Sequence, residues 1–141
     1  MQVDLDTLRG FFRSAPFMAD LGVEPTAVEP GRVRTGLAVQ PRHRQHTGVV
    51  HAGVIAALAD HTMGAAAQTL AADGHWVLTA EFKTSLLRGA GGERLECEAW
   101  VVKPGRQVSF TEAEVYAVAG GERRLVAKAS GTMAVTKAEQ P

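Results

Sequence analysis

Residues 45–70 constrain the fold of this chain more than any other stretch. The stretch begins with polar residues and a glycine, and after Gly53 it continues as an apolar run. The run of about 18 residues is long enough for a helix of about 27 Å, ending at the segment 71–74. Its apolar side chains occur all around the helix, which is typical of a helix that is buried, or nearly so.

One carboxylate, that of Asp60, interrupts the apolar run. Three and four positions away on the same helical face lie Ala56, Ala57, Met63 and Gly64. None of these can neutralise the carboxylate or donate a side-chain hydrogen bond to it. Because removing an unpaired carboxylate from water costs several kcal/mol, Asp60 should be protonated, be paired with a residue from elsewhere, or line a wet cavity. Each case makes it a functional candidate. The alternative is an amphipathic helix with Asp60 and His61 on a solvated edge.

Length and composition indicate a single globular domain over residues 1–141, with 45% apolar and 21% charged residues. Equal numbers of acidic and basic residues give no net charge, so no nucleic-acid partner is expected. The first residues lack the pattern of a signal peptide, and the polar residues within the apolar run argue against a membrane span. The single cysteine, Cys97, excludes an intrachain disulfide and fits the reducing cytosol.

The remainder of the chain alternates in the manner of strands. A short helix with Leu5, Leu8 and Phe12 at helical spacing begins the chain, with Asp4 or Asp6 as its cap. Strands are predicted at 23–28, 32–40, 76–87, 94–102, 108–118 and 123–136. In the third strand, the alternation predicts that Leu78, Ala80 and Phe82 lie on one side, and Thr79 and Glu81 on the other.

These elements predict an α+β fold. An antiparallel sheet of this size needs one face covered, and only one helix is large enough to cover it. We therefore expect a strongly curved antiparallel sheet wrapped around one long central helix.

Residues 45–60 resemble the hotdog-fold acyl-CoA thioesterases, the PaaI-like and 4-hydroxybenzoyl-CoA thioesterase group. The motif of that group is Asn or Gln, then Gly, then His-Gly-Gly, then an apolar turn and a half ending in Leu-x-Asp or Leu-x-Glu. Here it reads Gln45, Gly48, His51-Ala52-Gly53, Leu58 and Asp60. Ala52 replaces the commoner first glycine, a minor departure because the role there belongs to a backbone N–H. Segments 77–90, 101–110 and 127–135 resemble later strands of the group.

The resemblance implies a hotdog domain that hydrolyses acyl-CoA thioesters without a cofactor. Asp60 would be the nucleophile or the general base, Gln45 would orient the attacking water or the thioester, and Thr79 would hold the water or the carboxylate. The backbone N–H of Ala52, followed by Gly53, would stabilise the oxyanion, since a helix N-terminus offers unpaired donors and a positive dipole end.

The spacing of these residues requires a second copy of the chain. Along one helix Asp60 lies about 12 Å from Ala52, too far for both to reach one carbonyl. In the resembling group, two subunits join their sheets and place their helices antiparallel, which brings Asp60 of one chain near Ala52 of the other. A homodimer, and a dimer of dimers, is therefore expected.

Other residues carry weaker expectations. His51 either fixes the start of the helix or touches the thioester sulfur. Three basic residues at strand ends could meet the phosphates of coenzyme A: Arg88, Lys103 and Arg106. Four apolar residues are candidates for the acyl pocket: Leu58, Met63, Trp76 and Phe82.

Several alternatives stay open. A hydratase or dehydratase on the same fold pairs an acid with a histidine, and His51 with Asp60 could imitate that pair. A non-catalytic acyl-CoA-binding protein would need an output module, and the sequence contains no helix-turn-helix pattern before the fold. The histidines match no common zinc spacing, so no metal is expected. Neither a Gly-x-Ser-x-Gly motif nor a histidine beside Cys97 supports a Ser or Cys nucleophile.

Overall fold

The computed structural model describes residues 4–137 of the chain. Within this range the helices are α1 (Leu5–Arg13), α2 (Pro16–Leu21) and α3 (Ala52–Gln68), and a 3₁₀ turn (Pro41–His43) precedes α3. The strands are β1 (Glu24–Glu29), β2 (Arg32–Ala38), β3 (His75–Leu86), β4 (Arg94–Lys103), β5 (Val108–Ala119) and β6 (Glu122–Lys137). The first three and last four residues of the predicted domain lie outside the described part.

The six strands form one antiparallel sheet in the order β1-β2-β4-β5-β6-β3. After β2 the chain passes through α3 and crosses to β3 at the far edge, before β4 returns beside β2. The predicted α+β class and all six predicted strands are confirmed, because alternation between apolar and polar residues reports a half-buried strand well. None of the described helices is long and apolar enough to cross a bilayer.

Helix α3 packs against β2, β3, β4, β5 and β6. Ala99, Ala113 and Ala129 are paired in register across β4, β5 and β6 and are almost fully buried. Small side chains in one row let a helix approach the sheet closely. On the helix, Leu58 and Met63 are fully buried in the core.

Helix α3 is nearly but not completely buried, which is within the range that the sequence predicts. Ala56, Ala57, Asp60 and Gly64 recur at helical spacing and remain only half-buried; we call them the small-residue stripe. Alanine and glycine are apolar enough to resemble core residues in the sequence, yet they occur equally well where a second helix can approach. The sequence pattern could therefore not distinguish a fully buried helix from one with an open face.

Helix α1 confirms the predicted short helix, since Asp4 caps it by accepting from the Thr7 N–H at 2.7 Å. Helix α2 was not predicted, because proline and glycine in a sequence are also typical of breaks in the chain. Pro16 begins this helix and Gly22 ends it with a φ of 91°, positions that suit proline and glycine at the two ends of a helix.

Strand β3 lies at the edge of the sheet and contains a β-bulge at Ala80. Thr79 pairs with Met133 and Phe82 pairs with Gly131, and those two partners are alternate residues of β6. Thr79 and Phe82 therefore share one face of the sheet. The predicted placement of Phe82 opposite Thr79 was wrong because one unpaired residue inverts the alternation.

Candidate active site

Asp60 lies on the small-residue stripe of α3 and is half-buried. Its Oδ1 accepts a hydrogen bond of 2.6 Å from the hydroxyl of Thr79 on β3. Of the three environments predicted for this carboxylate, the structure contains a partner from elsewhere in the chain. The carboxylate is held on one side by a hydroxyl and remains partly accessible on the other, which suits a group that must meet a substrate or a water.

Two hydrogen bonds from a side chain at the end of α3 help to place Thr79 opposite Asp60. The side-chain amide of Gln68 donates to His75 O and accepts from the Val77 N–H, both at 3.0 Å. Gln68 is almost completely buried and thus fixes the beginning of β3 relative to the helix. Sequence reasoning did not assign a role to Gln68, although a polar residue inside an apolar run was the available signal.

The N-terminus of α3 offers one free hydrogen-bond donor. His51 is the N-cap, and its Nδ1 accepts from the Gly53 N–H at 2.8 Å. The carbonyl oxygen of His51 accepts from the N–H groups of Val54 and Ile55 at 3.0 and 3.4 Å. Within the described part of the chain, the N–H of Ala52 is the first-turn donor that has no acceptor. It is exposed at the positive end of the helix dipole.

Gly53 is explained by the same cap. A Cβ at Gly53 would lie 3.0 Å from Nδ1 of His51, so a larger residue would push the imidazole away from the helix. Ala52, by contrast, is exposed and tolerates its methyl group. The ring of His51 is engaged in this cap, and His51 lies more than 13 Å from Asp60 along the helix by its rise of about 1.5 Å per residue. The two do not form an acid–base pair within one chain.

Gln45 lies in the loop before α3 and is half-buried. Its Oε1 accepts from the Thr47 N–H at 2.5 Å, and its carbonyl oxygen accepts from the Gly48 N–H at 2.9 Å. The amide oxygen therefore serves the turn. The amide nitrogen makes no hydrogen bond with any described residue and remains available as a donor.

His61 follows Asp60 and packs under α1. Its ring stacks near Phe11 at 6.2 Å and meets Phe12 edge-on at 4.4 Å between centroids. Burial lowers the pKa of His61, while the neighbouring carboxylate of Asp60 opposes that change. Its Nε2 is buried and has no partner within residues 4–137. The sequence predicts no role for His61, because nothing in it indicates that α1 lies over this position.

The other histidines and the cysteine do not form a reactive cluster. Buried His43 accepts from the Gln40 N–H and lies 2.9 Å from Leu21 O, so it joins the loop to α2. Among the described residues, no three His, Cys, Asp or Glu side chains come together. Burial raises the pKa of the Cys97 thiol to about 12, so this thiol stays protonated.

The three basic residues proposed for coenzyme A are exposed but lie in two places. Arg88 follows β3 near the loop before α3, where Ala90 O accepts from the Val50 N–H at 2.9 Å. Lys103 ends β4, and Arg106 lies in the turn between β4 and β5. Both are therefore at the opposite end of β4 from the segment that contains Arg88. They form no ion pair with residues 4–137. Within one protomer they do not make a single phosphate site.

Asp60 does not lie in a closed pocket of the single chain. A groove of about 570 Å³ lies on the other face of the sheet, beside Glu81, Lys83 and Phe110, and contains neither Asp60 nor Thr79. Two of the residues suggested for an acyl pocket, Leu58 and Met63, are fully buried in the core and cannot line an open cavity. The other two, Phe82 and Trp76, are 41% and 47% exposed.

This chain is similar to proteins of one known family. The profile of the thioesterase superfamily matches residues 47–123, which contain the N-terminus of α3, Asp60 and Thr79. Among curated proteins, no match to this chain was found.

Several solved structures share the fold. A thioesterase family protein from Silicibacter pomeroyi is 35% identical, with a TM-score of 0.91 over 94% of this chain and 98% of that one. A conserved protein from Pseudomonas aeruginosa is 31% identical, with a TM-score of 0.80 over 90% of this chain and 98% of that one. A thioesterase from Haemophilus influenzae is 22% identical, with a TM-score of 0.87 over 97% and 93% of the chains, and supports the fold alone.

Proposed function

Because the chain belongs to the thioesterase superfamily, we propose that it hydrolyses acyl-CoA thioesters to a free acid and coenzyme A. In this proposal Asp60 is the general base or the nucleophile, and the Ala52 N–H of the partner subunit is the oxyanion donor. One observation carries the proposal: a carboxylate fixed by Thr79 and a free N–H at a helix N-terminus both belong to α3.

The chemistry needs only these groups and a water molecule. In the general-base route, Asp60 removes a proton from water, the hydroxide attacks the carbonyl carbon, and the carbon–sulfur bond breaks as the thiolate leaves and is protonated. In the nucleophilic route, the carboxylate itself attacks the carbonyl carbon, the carbon–sulfur bond breaks as the thiolate leaves and is protonated, and water then hydrolyses the resulting anhydride to the free acid and the Asp60 carboxylate. In both routes the negative charge on the carbonyl oxygen is stabilised by the Ala52 N–H, an interaction typically worth about 2.7–4 kcal/mol. The free amide nitrogen of Gln45 would orient the water or the thioester.

The site is incomplete in one chain, since Asp60 and Ala52 are about 12 Å apart along α3. Strand β3 supports a two-chain site, because it is a twelve-residue edge strand and most of its residues are exposed. The side chain of Gln68 hydrogen-bonds the main-chain groups of His75 and Val77, so the unpaired main chain of this edge begins near Thr79. Exposed edges of this length invite pairing with another strand.

We therefore propose a homodimer in which the two β3 strands pair and the small-residue stripes face each other. Antiparallel helices would bring Asp60 of one chain to the Ala52 N–H of its partner. We also propose that the chain is a hotdog domain with a curved sheet around one central helix, that its dimers pair further, and that the protein is cytosolic. The phosphates of coenzyme A would be bound by Arg88, Lys103 and Arg106. Since these cations lie apart in one protomer, both chains would contribute them.

The test is Asp60→Asn, which keeps the shape of the side chain but cannot accept a proton or attack. Thiol release from acyl-CoA should fall by about 10²- to 10⁴-fold, while thermal unfolding and acyl-CoA binding stay unchanged. The matched control is Asp73→Asn, in the loop after α3 and outside the site. Near-normal hydrolysis by the Asp60 variant would remove this residue from the reaction.

The hydratase alternative is separated by its product. Hydration of an enoyl-CoA leaves the thioester intact and releases no thiol. His51, which that alternative would need as an acid or base, instead caps α3 through Nδ1. Thiol release without hydration is the expected result.

A further inference from the structure

We propose that Phe82 determines which acyl groups the site accepts, an inference that rests on the hydrolytic function proposed above. The bulge at Ala80 turns this ring onto the face of β3 that also carries Thr79, the partner of Asp60. An exposed phenyl group on the sheet face that holds the proposed catalytic carboxylate is suited to bounding the apolar part of a substrate.

The register on both sides of the bulge establishes where Phe82 points. Glu81 pairs with Thr132, and the Thr132 hydroxyl donates to the Glu81 carboxylate at 3.3 Å on the outer face of the sheet. Phe82 is the next residue and pairs with Gly131. A Cβ built at Gly131 would lie 3.2 Å from Cε of Met63 on α3, so this row faces the helix. Without the bulge, Glu81 would occupy the helix-facing side instead.

Phe82 lies about 7 Å beyond Thr79 along the strand, in the direction of the N-terminus of α3. This is about one helical turn before Asp60, level with Ala56 and Ala57 on the small-residue stripe. Met133 and Thr111 on the same side of the sheet are buried, whereas Phe82 is 41% exposed. Ala56 and Ala57 carry only methyl groups, so α3 presents no large side chain at this level.

The groove on the other face of the sheet does not explain the exposure of the Phe82 ring. It crosses the row formed by Phe82, Gly131 and Thr111. Gly131 has no side chain, and Thr111 is 2% exposed with its hydroxyl bonded to Gly131 O. This row thus meets the groove through its main chain, and the ring of Phe82 remains on the side of Asp60.

The substrate position follows from these placements. A thioester whose carbonyl carbon is within reach of Asp60 and whose oxygen meets the partner's Ala52 would extend its acyl group along α3 past Phe82. The ring then limits the length or width of that group, and a smaller side chain should relax the limit.

The experiment compares kcat/KM for acetyl-, hexanoyl-, dodecanoyl- and benzoyl-CoA in the wild type, Phe82→Ala and Phe82→Trp. We expect Phe82→Ala to raise the preference for bulkier over shorter acyl groups by on the order of tenfold, and Phe82→Trp to lower it. The matched control is Phe110→Ala, a phenylalanine 50% exposed on the outer face of β5. It should leave the preference unchanged.

The outcomes separate a failure of the proposed function from a failure of the role of Phe82. A wild-type protein that hydrolyses none of the thioesters overturns the proposed function and this inference with it. Active variants at position 82 whose preferences stay within about twofold of the wild type overturn the assignment of Phe82 alone. An equal shift in Phe110→Ala does the same. If Phe82→Ala fails to fold, Phe82→Leu supplies the smaller side chain for the same comparison.

Discussion

At the scale of single residues, the proposed role of Thr79 in positioning Asp60 can be isolated. Thr79→Val keeps the branched shape but removes the hydroxyl that holds Asp60 at 2.6 Å. Because a misplaced catalytic group costs rate, kcat should fall about 10- to 100-fold with little change in KM. Thr79→Ser keeps the hydroxyl and should retain most of the activity. Equal losses in both variants would show that the methyl group, rather than the hydrogen bond, is important.

His61 provides a pH prediction at the same scale. Burial lowers its pKa below the ordinary value of 6.5, so below that pH the unfolded chain binds a proton at this site that the folded chain does not. The free energy of unfolding should therefore fall as the pH drops below 6.5, until the folded protein is protonated as well.

The variant His61→Leu has a similar volume and no titratable group. Urea unfolding at about pH 7.5 and about pH 5 should show a smaller loss of stability in this variant than in the wild type. The comparison isolates His61 from the other histidines, which both proteins retain. An identical pH dependence would mean that His61 is not protected from protonation in the folded protein.

At the scale of the elements, the small-residue stripe of α3 makes a prediction about assembly. Gly64 lies on the stripe, and a Cβ there would meet nothing within 4 Å. Gly64→Leu should therefore leave the protomer folded, and better helix propensity should favour it by about 0.8 kcal/mol. In the proposed antiparallel dimer this side chain would clash with the segment that leads into the partner's α3, so sedimentation should show monomers and activity should be lost.

Gly10 supplies the matched control for this prediction. It also lies in a helix, α1, and its Cβ position is equally open. Gly10→Leu should gain the same helix propensity while remaining dimeric and active. A dimeric and active Gly64→Leu protein would show that the stripe does not form the interface.

The elements also show what the sequence could and could not predict. Strand positions were predictable because apolar alternation records burial on one face. The bulge at Ala80 was not, because Leu78, Ala80 and Phe82 alternate perfectly in the sequence and only pairing with β6 reveals the unpaired residue. The start of α3 was predictable from its motif, whereas α2 was missed because proline marks both a break and a helix start.

The candidate site was predictable to a similar extent. Asp60 was conspicuous as a charge in an apolar run, and the resemblance of its surroundings suggested Thr79, which the structure brings to the carboxylate. Gln68 and Phe11 were not predicted, since their contacts join segments distant in the sequence. The roles of the site residues stay predictions until variants are measured.

At the scale of the whole molecule, the proposed reaction depends on a site shared by two chains. One variant can remove the proposed donor without disturbing the helix. Ala52 is the first residue of α3, a position that accepts proline, and His51 before it has the extended conformation that proline requires. Ala52→Pro removes only an N–H that has no acceptor in the described protomer. It should lower turnover by about 10²- to 10³-fold, whereas Ala52→Ser, which retains the N–H, should not.

The most direct measurement mixes the two inactive variants, Asp60→Asn and Ala52→Pro, under conditions that exchange subunits. In a mixed dimer, one of the two sites combines an intact Asp60 from one chain with an intact Ala52 N–H from the other. Random exchange should therefore restore thiol release to about a quarter of the wild-type rate per chain. A mixture that exchanges subunits but stays as inactive as its components would contradict the shared site.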